Sequence, residues 1–229
     1  MIRLLAYLSL LAVPNLASAQ DCRLALLLAL DISSSVSQDE DELQRTGLAM
    51  ALNSALVQDA FLANPSRYVA LSVIEWSGSD QQSVLLDWVF ITSPATLAGA
   101  AETVANSARS YDEYPTALGF ALGYAHTHFR SAPSCTHQTL DVSGDGLSNH
   151  GFNTEIAYDT YDYSQITVNG LVIGDEPGLL RYYRQEVIRG PGAFVQQATD
   201  YQDYQHAMER KLRRELGLAV AQTNSVQTQ

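Results

Sequence analysis

The sequence predicts an α/β fold built on a mostly parallel sheet. Two observations carry this. Apolar, strand-like runs alternate along the chain with helix-like stretches. The first such run, Leu24–Leu30 (LALLLAL), holds no polar residue, as expected of a strand buried on both faces. The length of 229 residues suits one large domain, and an apolar content of 46% can fill its core.

Taken in order, the first residues read as an export signal. Arg3 supplies the charge, Leu4–Val13 the apolar core, and Ala17-Ser18-Ala19 the cleavage site before Gln20. This run is too short to span a bilayer, and no later segment is a candidate. Residues 20–217 are the expected domain and residues 218–229 a polar, disordered tail. The expected location is the periplasm or the cell exterior. There Cys22 and Cys135 are candidates for a disulfide rather than a metal site.

The first strand spans Arg23–Leu30. Ser37-Gln38-Asp39-Glu40 forms a capping box, and Asp39–Glu42 place acids at the positive end of the helix that follows. Leu48, Leu52, Ala55 and Leu56 give that helix one buried stripe. Tyr68–Trp76 and Ser83–Ile91 read as strands, and the short Ser77–Asp80 link makes the second an antiparallel edge. Ser93-Pro94 opens a helix running to about Ala108.

A helix follows Thr116, with Leu118, Ala121, Leu122, Ala125 and Phe129 on one face. Gln138–Val142 and Ile166–Ile173 are strands, and Leu179–Ile188 is a helix stopped by Gly190-Pro191-Gly192. Ala193–Gln197 is a short last strand, and Thr199 caps a final helix. The tyrosine-rich stretch Tyr158–Tyr163 fits either a partner surface or helix packing.

Three loops carry candidate chemistry. The first strand ends on Asp31-x-Ser33-x-Ser35, the mid-chain helix opens after Thr116, and another strand ends before Asp145-Gly146. In an open parallel sheet these loops share the rim at the carboxyl ends of the strands. Two carboxylates and three hydroxyls gathered there suit a hard divalent cation. The simpler reading has the serines cap a helix and Asp145 shape a turn.

Together these pieces resemble the metal-ion-dependent adhesion site of von Willebrand factor type A domains. The likeness covers about Cys22–Leu216. Val73-Ile74-Glu75-Trp76-Ser77, Asp141–Gly146, Val168–Leu171 and Gly190–Phe194 narrow it to an exported bacterial family of such domains, DUF1194. The resemblance implies a three-layer, Rossmann-like von Willebrand A fold. Its central sheet is mostly parallel with one antiparallel edge strand, and helices cover both faces. It implies that Asp31, Ser33, Ser35, Thr116 and Asp145 hold Mg²⁺ or Mn²⁺. It implies a protein or peptide partner whose Asp or Glu carboxylate reaches the ion; with no evident nucleophile or base beside that ion, no enzymatic activity is expected.

In the strand order it implies, the first strand lies beside the strand leading to Asp145. Cys22 precedes Asp31 by nine residues and Cys135 precedes Asp145 by ten. The cysteines then meet at the opposite rim, about 4.8 Å apart, within disulfide range. The alternative function is a Mg²⁺-dependent hydrolase using metal-activated water. It would need a base beside the ion, and His150, five residues past Asp145, is the candidate.

The remaining signals are plainer. A net charge of −12 disfavours nucleic acid and anionic lipid as partners. The basic residues cluster between Arg181 and Arg214, which reads as a solvated helix face. The five histidines show no metal-ligand spacing. Glu75 reads as a solvated rim position, with a hydrogen bond behind the ion as the alternative.

Overall fold

In a computed structural model, residues 21–226 are described, with side chains to residue 217. The expected signal peptide and its cleavage site lie outside the described residues. Six strands form one sheet in the order β3-β2-β1-β4-β5-β6. They are β1 (Asp21–Asp31), β2 (Arg67–Trp76), β3 (Gln82–Ile91), β4 (Cys135–Gly144), β5 (Ile166–Ile173) and β6 (Val195–Ala198). All neighbours run parallel except β2 and β3, so β3 is the antiparallel edge.

Helices cover both faces, giving three layers. Leu24, Leu26, Leu28 and Leu30 of β1 pack under α1 (Gln38–Asn53), α2 (Ala55–Leu62), α3 (Pro94–Ala105) and α7 (Tyr204–Val226). Ala25, Leu27 and Ala29 face α4 (Leu118–Phe129), α5 (Thr154–Thr160) and α6 (Pro177–Tyr182). β1 is therefore buried on both faces, which is why its sequence is apolar at consecutive positions.

Four local readings need correction. The single helix expected after Ser37 is two. Ser54 ends α1, and its hydroxyl accepts from Val57 N at 3.4 Å to cap α2. The new axis buries Val57 and Phe61 and leaves Leu56 53% exposed, off the stripe of Leu48 and Leu52. The helix expected over Leu179–Ile188 is α6 followed by a π-helical turn, Tyr183–Val187. Its widened ring is closed by Ile188 N–H donating to the Tyr183 carbonyl at 3.0 Å.

Thr199 does not cap α7. Its N–H instead donates to the Asp203 carboxylate at 3.3 Å, and the helix begins at Tyr204. α7 runs from Tyr204 to Val226. The tyrosine-rich stretch is packing: the Tyr158 hydroxyl donates to the Val187 carbonyl and the Tyr163 hydroxyl to the Leu122 carbonyl.

Nor is the basic cluster a solvated face throughout. Lys211 is fully buried, with its Nζ 2.9 Å from Asp141 Oδ1 and 2.6 Å from Glu215 Oε1. Asn169 Nδ2 donates to the same Glu215 oxygen at 2.8 Å. This polar knot ties α7 to β4 and β5. At the foot of β1, buried Arg23 donates to the carbonyls of Ala60, Phe61 and Leu216, tying the end of α2 to the middle of α7. In parallel register Cys22 pairs with Cys135, and the structure joins them in a disulfide with Cα atoms 4.4 Å apart.

Candidate metal centre

The first strand delivers its carboxylate to the rim and then turns sharply. Asp31 Oδ1 accepts from Ser33 N–H at 2.8 Å, a local side-chain-to-backbone bond that bends the chain. The bend lines up hydroxyls from separate loops. Thr116 Oγ1 lies 3.1 Å from Ser33 Oγ, which lies 3.1 Å from Ser35 Oγ. The Ser35 hydroxyl donates to Asp145 Oδ1 at 2.6 Å. All five predicted residues are thus brought together, four of them as one chain of oxygens ending on Asp145. The bare Cα of Gly146 faces this chain, and a methyl there would sit 3.8 Å from both Ser35 Oγ and Thr116 Oγ1.

Each loop is held from outside. Arg109 donates to the carbonyls of Ile32 (2.7 Å), Ser33 (3.0 Å) and Val36 (2.7 Å), clamping the Asp-x-Ser-x-Ser loop. Gln44 Nε2 donates to the Asp31 carbonyl at 3.0 Å, and Ser34 N–H to the Tyr114 carbonyl at 2.8 Å. The loop after Asp145 holds Thr116. Asn149 Oδ1 accepts from its N–H at 3.0 Å, while Asn149 and His150 donate backbone N–H to its carbonyl. Ser148 supplies the cap that α4 lacks locally, accepting from Leu118 N–H at 3.2 Å.

Arg109, Gln44 and Asn149 escaped the sequence reading because each acts across a long gap in the chain. Glu75 is corrected. It is buried, ion-paired with Arg45, and accepts from Ser110 Oγ at 2.5 Å. Its bonds stay behind the rim and reach none of the five site residues.

The site's electrostatics are unbalanced. Burial pushes the Asp31 carboxyl up to about 7, and the nearby Asp145 charge adds to it. Asp145 is also raised, by burial first and by Glu40 among the charges. Asp31 Oδ2 is buried and accepts no hydrogen bond. The nearby Arg109 spends its guanidinium on backbone carbonyls and Asp112. Two crowded acids whose one nearby cation, Arg109, is bonded elsewhere, beside three neutral oxygens, fit a hard divalent cation. Among the described residues no group of three or more His, Cys, Asp or Glu side chains gathers for a metal.

The sequence matches the family described as "Protein of unknown function (DUF1194)" over residues 21–220. No curated protein matches it. Solved structures share the fold at low identity. Proximal thread matrix protein 1 from the mussel byssus, with its MIDAS motif occupied by zinc, superposes with TM-score 0.59 and 13% identity. That match covers 88% of this chain and 49% of that one. A von Willebrand factor type A protein from Catenulispora acidiphila gives 0.59 and 16%, covering 87% and 43%. The pilus adhesin SpaC from Lactobacillus rhamnosus GG gives 0.56 and 14%, covering 86% and 30%. The chain spans half or less of each of these proteins. With a family match across nearly all of its described length and this sheet order, the chain belongs to the DUF1194 family and carries a von Willebrand factor A fold.

Proposed function

We propose that this chain is an exported, metal-ion-dependent binding domain. Asp31, Ser33, Ser35, Thr116 and Asp145 would hold one Mg²⁺ or Mn²⁺. The occupant of the outward position would be an Asp or Glu carboxylate of a protein or peptide partner. The observation that carries the reading is the pairing of a continuous hydroxyl–carboxylate array with a buried, unpartnered Asp31 oxygen. The zinc-occupied motif of the mussel protein, on the same fold, supports a divalent ion at this place.

When bound, such an ion supplies charge neutralisation and an open coordination position for an outside oxygen. The chain's own residues do the rest. Arg109 fixes the first loop, the Asn149 loop fixes Thr116, and the exposed Ser35 and half-buried Asp145 leave one side of the array open. Export is proposed from residues 1–19 and agrees with the disulfide. Among the described residues no helix is long and apolar enough to cross a membrane. The hydrolase reading has no observation in its favour. The structure uses His150 through its backbone, tied to the Thr116 carbonyl at 3.2 Å.

Titration calorimetry with MgCl₂ and MnCl₂ tests the metal half. The wild type should bind one ion, and Asp31→Ala and Asp145→Ala should abolish binding while the fold persists; unchanged affinity in both variants refutes the assignment. Capture of partner from periplasmic extract should then require the ion and fail in EDTA. Equal capture in EDTA sinks the binding reading.

A further inference from the structure

Two buried tyrosine hydroxyls stand behind the two site aspartates, and neither makes a hydrogen bond of normal length. Tyr183 opens the π-helical turn, and its fully buried ring crosses β4 and β5 where both strands carry glycine. A methyl on Gly170 would come 2.6 Å from its Cδ1. A methyl on Gly144 would come 2.5 Å from its hydroxyl oxygen and 2.9 Å from Asp31 Oδ2. A donor hydroxyl and an acceptor carboxylate oxygen, both unsatisfied, therefore flank one bare Cα.

Tyr201, 6% exposed on the segment between β6 and α7, stands by the other acid, where its hydroxyl holds the Asp145 carboxyl down against the push of burial. The charges that bear on its hydroxyl are Asp145 first and Asp31 second. A buried hydroxyl without a close partner is destabilising, and phenylalanine of nearly the same shape would avoid that cost. Two such hydroxyls against the same acid pair need a reason beyond filling space.

We propose that Tyr183 and Tyr201 are positioning residues of this metal site, whose hydroxyls donate to Asp31 and Asp145 when a divalent cation draws the two carboxylates into place. The inference rests on the metal reading above. An ionised carboxylate is the stronger acceptor, and a phenolic hydrogen rotates to meet it. Hydrogen bonds of this outer kind orient metal-ligating carboxylates and typically change metal affinity by about 10–100-fold. A π-helical turn at the root of Tyr183 suits the role, since such turns are frequent at functional sites. Gly144 and Gly170 are the space the ring requires.

The test compares Tyr183→Phe, Tyr201→Phe and the double variant with the wild type. Calorimetry with MgCl₂ and MnCl₂ is run where each protein is folded, and melting is followed in EDTA. Each single variant should bind Mg²⁺ about tenfold more weakly, and the double variant more weakly still. Melting temperature in EDTA should be unchanged or higher, because an unpaired hydroxyl is gone. The Mg²⁺-induced tyrosine difference absorbance should shrink in step. Wild-type affinity in both phenylalanine variants overturns the inference alone and leaves the metal reading standing. Absence of binding in the wild type overturns both.

Discussion

At the scale of single residues, the candidate site is a charge problem that the fold leaves open. The Asp31 carboxyl is raised to about 7 by burial and by Asp145, against roughly 4 in an unfolded chain. Between these values the folded state binds the proton more tightly than the unfolded state. Its contribution to stability is therefore largest at low pH and declines as pH rises towards 7. In EDTA, Asp31→Asn should flatten that decline relative to the wild type. Chemical denaturation at pH 4, 5.5 and 7 reads it, and parallel slopes for the two proteins would refute it. Bound cation should restore most stability near pH 7, where the two charges are fully developed. Arg109 carries a second prediction. Arg109→Gln leaves the carbonyls of Ile32, Ser33 and Val36 without their clamp. It should cost about 1–3 kcal/mol and weaken Mg²⁺ binding, measured by denaturant unfolding and calorimetry. Asp31, Ser33, Ser35 and Asp145 were legible because they follow strand ends, and Thr116 because it opens a helix. Arg109, Tyr183 and Tyr201 were not, because only the fold brings them to the rim.

At the scale of elements, local caps and long-range anchors divide the work. Ser54 ends one helix and starts the next, and the sequence carried the signal in Asn53-Ser54, two residues that favour caps over helix interiors. The unbroken apolar spacing on either side hid it. Lys211 was misjudged for the opposite reason: a lysine in a charged helix is usually solvated, and only α7 docking over Asp141 buries it. Because Asp141 and Glu215 share this one ammonium, Lys211→Met should leave two buried carboxylates uncompensated and cost about 3–5 kcal/mol. Urea unfolding at pH 7 measures this. A variant within 1 kcal/mol of the wild type would show the knot to be dispensable. Lowering the pH should narrow the gap, since Asp141 is itself held up near 7, mainly by burial.

At the scale of the whole molecule, the sheet has two working rims. The carboxyl ends of β1 and β4 carry Asp31 and lead to Asp145, and their amino ends are fastened by Cys22–Cys135. Reducing the disulfide should lower stability by up to ~4–5 kcal/mol in the loop-entropy account, while Mg²⁺ affinity stays unchanged. Melting and calorimetry with and without reductant check both halves, and a joint loss would show the rims to be coupled. The layered α/β class was legible in the alternation of runs, and the register of the cysteines in nearly equal counts to the aspartates, nine residues and ten. Strand order was not written in any local pattern and came only through likeness to a known family. One consequence concerns the making of the protein. β1 is synthesised first yet lies at the centre of the sheet, with partners that arrive later on both sides. Its thiol waits for a mate 113 residues downstream. Under the proposed export, Cys22 is throughout that interval an unclaimed nucleophile in an oxidising space, open to capture by another nascent copy. On that proposal, disulfide-linked dimers through Cys22 are the expected by-product of hurried export, and a slow supply of oxidant is the condition that favours the intrachain bridge.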